Sequence, residues 1–193
     1  MVTRWRRASA VRPILSILKD PHGAAVIEFA LAAPLLIAML VSTLEIALVY
    51  LAQEGLETAV EASARYVLTG QAQTNFKGVK DASGNVITTP QAQFKAYACS
   101  VLPPMLECPN LYIDVTTATS YSASSLTLPT FTYDAQGKVT NTFNYAPGTQ
   151  GAIVVVRFMY NWPVISLFGF DIANQPKSRR LLLATSVLKS EGY

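Results

Sequence analysis

The chain has 193 residues, 51% of them hydrophobic and 14% charged, with a mean hydropathy of +0.30. That is too apolar for a disordered or nucleic-acid-coating protein, and the length allows one modest domain with appendages rather than two enzyme domains. The formal charge of +3 is unevenly spread: Arg4, Arg6, Arg7, Arg12 and Lys19 face only Asp20 at the N-terminus, and the remainder offers no broad cationic surface for phosphate backbones. Nucleic acid is therefore not an expected partner. His22 is the only histidine and Cys99 and Cys108 are the only cysteines. A Ser-His-Asp triad, a Cys-His pair or a four-ligand zinc site cannot be assembled from these, so no catalytic residue, metal or cofactor is expected.

The segment from Phe29 to Ala52 reads FALAAPLLIAMLVSTLEIALVYLA, with Glu45 its only charge. It is long enough to cross a hydrocarbon core, which needs about 20 helical residues. The basic residues precede it, so the positive-inside rule predicts a single-pass protein with a cytoplasmic N-terminus and its C-terminal bulk across the membrane. The apolar run is too long for an ordinary signal peptide, whose apolar region spans roughly 7–15 residues. Leu56, Val60, Ala64 and Val67 continue a helical stripe beyond the membrane, and Glu61 and Arg65 are spaced as a helical ion pair. Thr69-Gly70 is a stop signal. One helix is expected over 24–69, spanning the membrane at about 29–52 and emerging to pack on an external domain.

This helix opens with Gly23-Ala24-Ala25-Val26-Ile27-Glu28-Phe29-Ala30-Leu31-Ala32-Ala33-Pro34. A cut after Gly23 makes Glu28 the fifth residue of the mature chain. The basic leader, the glycine before the cut, the glutamate and the apolar helix together resemble the class III prepilin-peptidase substrates of the type IV pilin superfamily. The Glu-Phe-Ala-Leu-x-x-Pro run more closely resembles the TadE-like minor pseudopilins of the Tad (tight adherence, Flp) pilus system. The specific part of the likeness covers about residues 20–52, with a looser similarity in the tail from Ala184 to Tyr193. Major Flp pilins are very short and usually carry Glu-Tyr at the cut site, whereas this chain has Glu28-Phe29 and a large external domain, so it reads as a minor subunit. Ala24 departs from the phenylalanine that opens many mature pilins.

The resemblance implies a leader at 1–23, processing between Gly23 and Ala24, and a register role for Glu28, whose carboxylate would meet the new α-amino group of a neighbouring subunit. A carboxylate in an apolar segment is costly and is usually kept for a partner. The plainer reading is a solvated Glu28 at the inner headgroups. The implied partners are the prepilin peptidase, the major Flp pilin, other minor pseudopilins, the inner-membrane assembly platform and membrane lipid. The implied location is the bacterial inner membrane with a periplasmic C-terminal domain, and from there the extracellular pilus, in adhesion and biofilm formation. Glu45 lies 17 residues beyond Glu28, roughly 25 Å along the helix and near the outer membrane face. It is either simply hydrated or a lateral contact to another transmembrane helix.

The external part, 70–193, is expected to be α+β. Asp81-Ala82-Ser83-Gly84-Asn85 reads as a turn and Thr89-Pro90 as a helix start. Phe94, Tyr97, Ala98, Val101 and Leu102 form one apolar helical face, ended by Pro103-Pro104. Strands are expected at Leu111–Val115, Ile153–Met159 and Leu181–Leu188, with a hairpin around Asp134–Gly137, giving a second helix laid on an antiparallel sheet. Cys99 and Cys108 lie on the oxidising side of the membrane, and a disulfide is the leading reading. The run from Trp162 to Phe170 is either core or an exposed surface for a subunit or lipid, with Val164, Ile165, Leu167, Phe168 and Phe170 as its contact residues. Three other functions stay open: a tip-exposed adhesin, an uncleaved single-pass envelope protein, and an external hydrolase using two of Glu107, Asp114, Asp134 and Asp171, for which no spacing or Gly-rich loop speaks.

Overall fold

The structure is a computed structural model that describes residues 21–122, 130–165 and 171–191. The leader up to position 20 and the tail residues Gly192 and Tyr193 lie outside the described residues. Two compact units divide at the Leu44/Glu45 junction. The first contains the N-terminal part of α1 (Pro21–Leu68), a helix of 48 residues that continues through Pro34. Apolar residues dominate it, and an interior proline removes only one hydrogen bond from so long a ladder.

The second unit holds the rest of α1 and the α+β domain expected from the sequence. Gly70 adopts φ 75° and stops the helix, a conformation that costs a residue without Cβ little. A short helix α2 (Gln71–Asn75) and a small antiparallel hairpin, β1 (Val79–Lys80) and β2 (Val86–Thr88), follow. The hairpin turn is held by Asp81, whose Oδ1 accepts the backbone N–H of Ser83 at 2.9 Å and of Asn85 at 2.8 Å. Helix α3 (Pro90–Ser100) starts on Thr89, whose hydroxyl oxygen accepts from the Ala92 N–H at 3.1 Å, with Pro90 at its first position.

Strands β3 (Leu111–Ala118), β4 (Ile153–Pro163) and β5 (Arg179–Lys189) form an antiparallel sheet in the order β3-β4-β5. On one face Leu111, Ile113, Val115, Val154, Val156, Phe158, Leu182 and Leu188 meet Leu56, Val60 and Val67 of α1 and Phe94 and Ala98 of α3 in a single core. Tyr66 of α1 stacks on Tyr97 of α3 at 4.4 Å, and Phe94 meets Phe158 edge-on at 6.5 Å. Glu61 and Arg65 are both exposed, and among the described residues they form no ion pair; their side chains remain in solvent rather than cross-linking the helix.

The opposite face of the sheet is covered by the chain between β3 and β4. Tyr112 of β3 contacts Phe131 at 5.9 Å and Phe143 at 5.8 Å. The expected turn at Asp134–Gly137 is present, bridging Tyr133 to Val139, and the segment around Tyr145 runs beside β3 as a parallel bridge to Val115. Beneath this cover Asp114 of β3 and Arg157 of β4, direct register partners, form a buried ion pair at 3.0 Å. The second carboxylate oxygen of Asp114 accepts the Asn144 N–H at 3.0 Å, so one side chain ties β3, β4 and the covering segment together.

Two stability outcomes follow from this layer. Replacing Asp114 by Ala strands the buried guanidinium without its carboxylate and should lower unfolding stability by about 3–5 kcal/mol in a denaturant titration. Tyr145, whose hydroxyl is buried without a partner among the described residues, has its pKa pushed up to about 12 by burial. A raised phenol pKa leaves stability intact below the unfolded value of about 10 and removes it as pH climbs from there toward the folded value. Tyr145→Phe should match the parent at neutral pH and lose less stability than the parent in that alkaline window, as thermal melts across pH would show.

Candidate assembly site

Within the first unit, Ala24 and Glu28 stand one turn apart on one side of α1, both exposed, with Gly23 partly exposed beside them. The residues that follow bury almost nothing: Phe29 is 72% and Leu31 76% exposed, and Leu35, Leu36, Ile37, Met39, Leu40 and Leu44 remain open. So large an apolar surface is stable only against lipid or other helices. Its two hydroxyls are satisfied internally, Ser42 donating to the Ala38 carbonyl and Thr43 to the Met39 carbonyl, each at 2.8 Å. Neither therefore needs water within the apolar run. Among the described residues this is the one helix long and apolar enough to cross a membrane.

In the second unit α1 changes character. Ala52, Leu56, Ala59, Val60, Ala64 and Val67 are buried, so the stripe seen in the sequence is the face that meets the sheet. Gln53 donates to the Leu183 carbonyl of β5 at 2.8 Å, and the Glu191 N–H reaches the Leu68 carbonyl at 2.9 Å. At Gly55 the helix touches Pro103 so closely that an added Cβ would lie 2.6 Å from Cγ of the proline ring. Pro103 thus both follows α3 and receives α1. The loop it begins is closed by the Cys99–Cys108 disulfide, with Cα atoms 5.4 Å apart. The Glu107 N–H also donates to the Tyr160 hydroxyl at 2.9 Å.

Glu45 is partly buried, and its Oε1 accepts the backbone N–H of Ile165 at 2.6 Å. The end of β4 is thereby bound to the helix. Val164 is buried, and its N–H donates to the Ser178 carbonyl at 2.9 Å, whereas the Ile165 side chain is 65% exposed. Leu167, Phe168 and Phe170 lie outside the described residues. The carboxylates considered for hydrolysis occupy separate local positions. Asp114 is in the buried pair, Asp134 accepts from the Gln136 and Lys138 N–H groups, Asp171 accepts from the Ala173 N–H, and Glu107 lies beside Asn110.

Residues 23–65 match the family model described as TadE-like protein. The chain carries a TadE-like helix. The match begins at Gly23 and ends within α1, so it takes in Ala24, Glu28 and Glu45 and leaves the sheet and its covering segment outside. No curated protein and no solved structure matches the chain. The TadE-like match supports a minor-pilin-like role associated with a Tad pilus and association with its components in general. The single apolar TadE-like helix fits a single-pass membrane protein of such a system.

Sequence reasoning missed the long-range contacts, and two of them bear on stability. The Asp114–Arg157 pair was signalled only by an arginine inside the β-branched run Ile153–Met159, and Pro103 as the seat of Gly55 had no sequence signal. The second generates a test. An alanine in a helix ordinarily gains about 1 kcal/mol over glycine. Gly55→Ala should instead lower the melting temperature, because the proline ring must shift, while Gly55→Ala combined with Pro103→Ala should recover most of the loss.

Proposed function

We propose that the protein is a non-enzymatic minor pseudopilin, inserted with its N-terminus in the cytoplasm and cut after Gly23 by a prepilin peptidase. It is then held by α1 in the inner membrane and co-assembled with the major Flp pilin and other minor subunits to prime, cap or support a Tad-type pilus in adhesion and biofilm formation. The observation that carries the reading is the coincidence of the TadE-like match with the start of α1, where Gly23, Ala24 and Glu28 stand together at the head of an exposed apolar helix. Packing, not bond-making, is the mechanism. α1 supplies the membrane anchor and then the polymer contact, Glu28 the register against the α-amino group of a neighbour, and the external domain the choice of neighbouring subunit. A carboxylate in apolar surroundings gains most from an ammonium partner, which neutralises the cost of burying either alone.

The test is the N-terminal sequence and intact mass of membrane-extracted protein, with and without active prepilin peptidase. A chain beginning at Ala24 only when the peptidase is active, and retaining its leader in a Gly23→Ala variant, is expected. A leader retained under every condition would overturn the reading. In cut protein, Glu28→Ala should leave the monomer in the membrane and reduce its recovery in sheared pili at least tenfold, the effect of about 1.4 kcal/mol of lost assembly free energy.

A further inference from the structure

We infer that the membrane-facing end of the external domain is seated in the outer leaflet and holds an anionic phospholipid, with Arg180 binding the lipid phosphate. The inference rests on the proposed orientation, with α1 crossing the bilayer and the C-terminal domain outside, and not on entry of the chain into a pilus. A groove of about 290 Å³ lies where α1 leaves its apolar run, lined by Val49, Tyr50 and Gln53 on the helix and by Arg180, Leu181 and Leu182 at the start of β5. Its position along α1 sets its depth. The apolar run ends at Ala52, so these residues stand at the level where hydrocarbon gives way to headgroups.

The groove has the chemistry of that level. Tyr50 is 70% exposed and is the kind of amphipathic ring that settles at a membrane interface. Arg180 is partly buried and donates one N–H to the Ile172 carbonyl at 3.0 Å, which orients the guanidinium and leaves further donors for a phosphate. Among the described residues no carboxylate lies within ion-pair distance of it. Of the acidic side chains of α1, Glu57 stands one turn beyond the groove's Gln53, away from the apolar run, and its Oε1 accepts from the Gln53 Nε2 at 2.7 Å; Glu45 is engaged by the Ile165 N–H, and Glu54 and Glu61 are not among the lining residues. Among the lining residues Arg180 carries the one charge, opposite in sign to a phospholipid phosphate.

Ile165 supplies the second, independent observation. It meets α1 at Glu45, two turns deeper in the apolar run than the end of the groove, yet its side chain is 65% exposed. An exposed isoleucine at that depth faces acyl chains, and its backbone N–H, which would be costly there unpaired, is satisfied by the glutamate. The same bond accounts for a carboxylate in an otherwise uncharged span.

The test uses Trp162, the register partner of Arg180 on β4, as a reporter in the full chain carrying Trp5→Phe. The protein is reconstituted in phosphatidylcholine vesicles containing equal fractions of brominated phosphatidylcholine or brominated phosphatidylglycerol, both of which quench tryptophan. The anionic lipid is expected to be enriched about fivefold at Trp162 over the zwitterionic one. Arg180→Gln should bring that ratio to one and Arg180→Lys should leave part of it. Lys189→Gln, at the other end of β5, should not change it, and inorganic phosphate should not displace the lipid. Ile165→Asp should weaken quenching by both lipids. An intact Cys99–Cys108 disulfide and unchanged near-ultraviolet circular dichroism verify that each variant is folded. Quenching by neither lipid, or a preference that survives Arg180→Gln, would overturn the proposal, and either result leaves the Gly23 processing test untouched.

Discussion

The burial of one face of α1 between Ala52 and Val67 is the constraint on which the rest depends. Before it most of the helix's large apolar side chains are exposed, and within it the same periodicity is consumed by a sheet and by α3. A helix that must satisfy a bilayer and then a protein core cannot hold exposed charge on its buried stripe, and Glu54, Glu57 and Glu61 accordingly fall on the other faces. Close approach at Gly55 and the tie from Gln53 to Leu183 set where on the helix the domain begins.

The external domain is built to be rigid at small size. Its sheet has only three strands, about the minimum for independent stability even when one face packs on helices, and here the other face is covered as well. Helices cover one face, and the long connection between β3 and β4 covers the other with aromatic side chains. The buried Asp114–Arg157 pair lies under that cover and is satisfied further by the Asn144 N–H. Such a pair contributes little net stability but penalises any register in which its members are separated. In a strand pair where a one-residue slip would turn the β-branched residues of β4 to the wrong face, that penalty selects the alignment.

In the proposed role of a packing subunit, rigidity at this end of the domain matters most. The bond between Glu45 and the Ile165 N–H and the contact of Arg180 with the Ile172 carbonyl hold the β4–β5 connection to its neighbours at the level where α1 leaves its apolar run.

Most of the architecture was legible in the residues. The apolar run, the stripe Leu56-Val60-Ala64-Val67, the Thr89-Pro90 start of α3, the turn at Asp81–Asn85 and the three strands are local patterns, and local patterns are written in hydropathy, caps and turn residues. The Cys99–Cys108 pairing was likewise legible, because two cysteines across a Pro-Pro break in a domain expected on the oxidising side of the membrane have few other fates. The TadE-like head was legible for a similar reason, since Gly23, Glu28 and Pro34 sit at fixed spacing on one helix. Contacts between residues far apart in the chain were decided only by the tertiary structure. Glu45 with Ile165, Gly55 with Pro103 and Asp114 with Arg157 each join elements separated by dozens of residues, and no periodicity encodes which faces meet. The sequence alone determined what each segment would be. Packing determined what each polar group would touch, because a buried or lipid-facing charge is assigned its partner by the assembled surface around it.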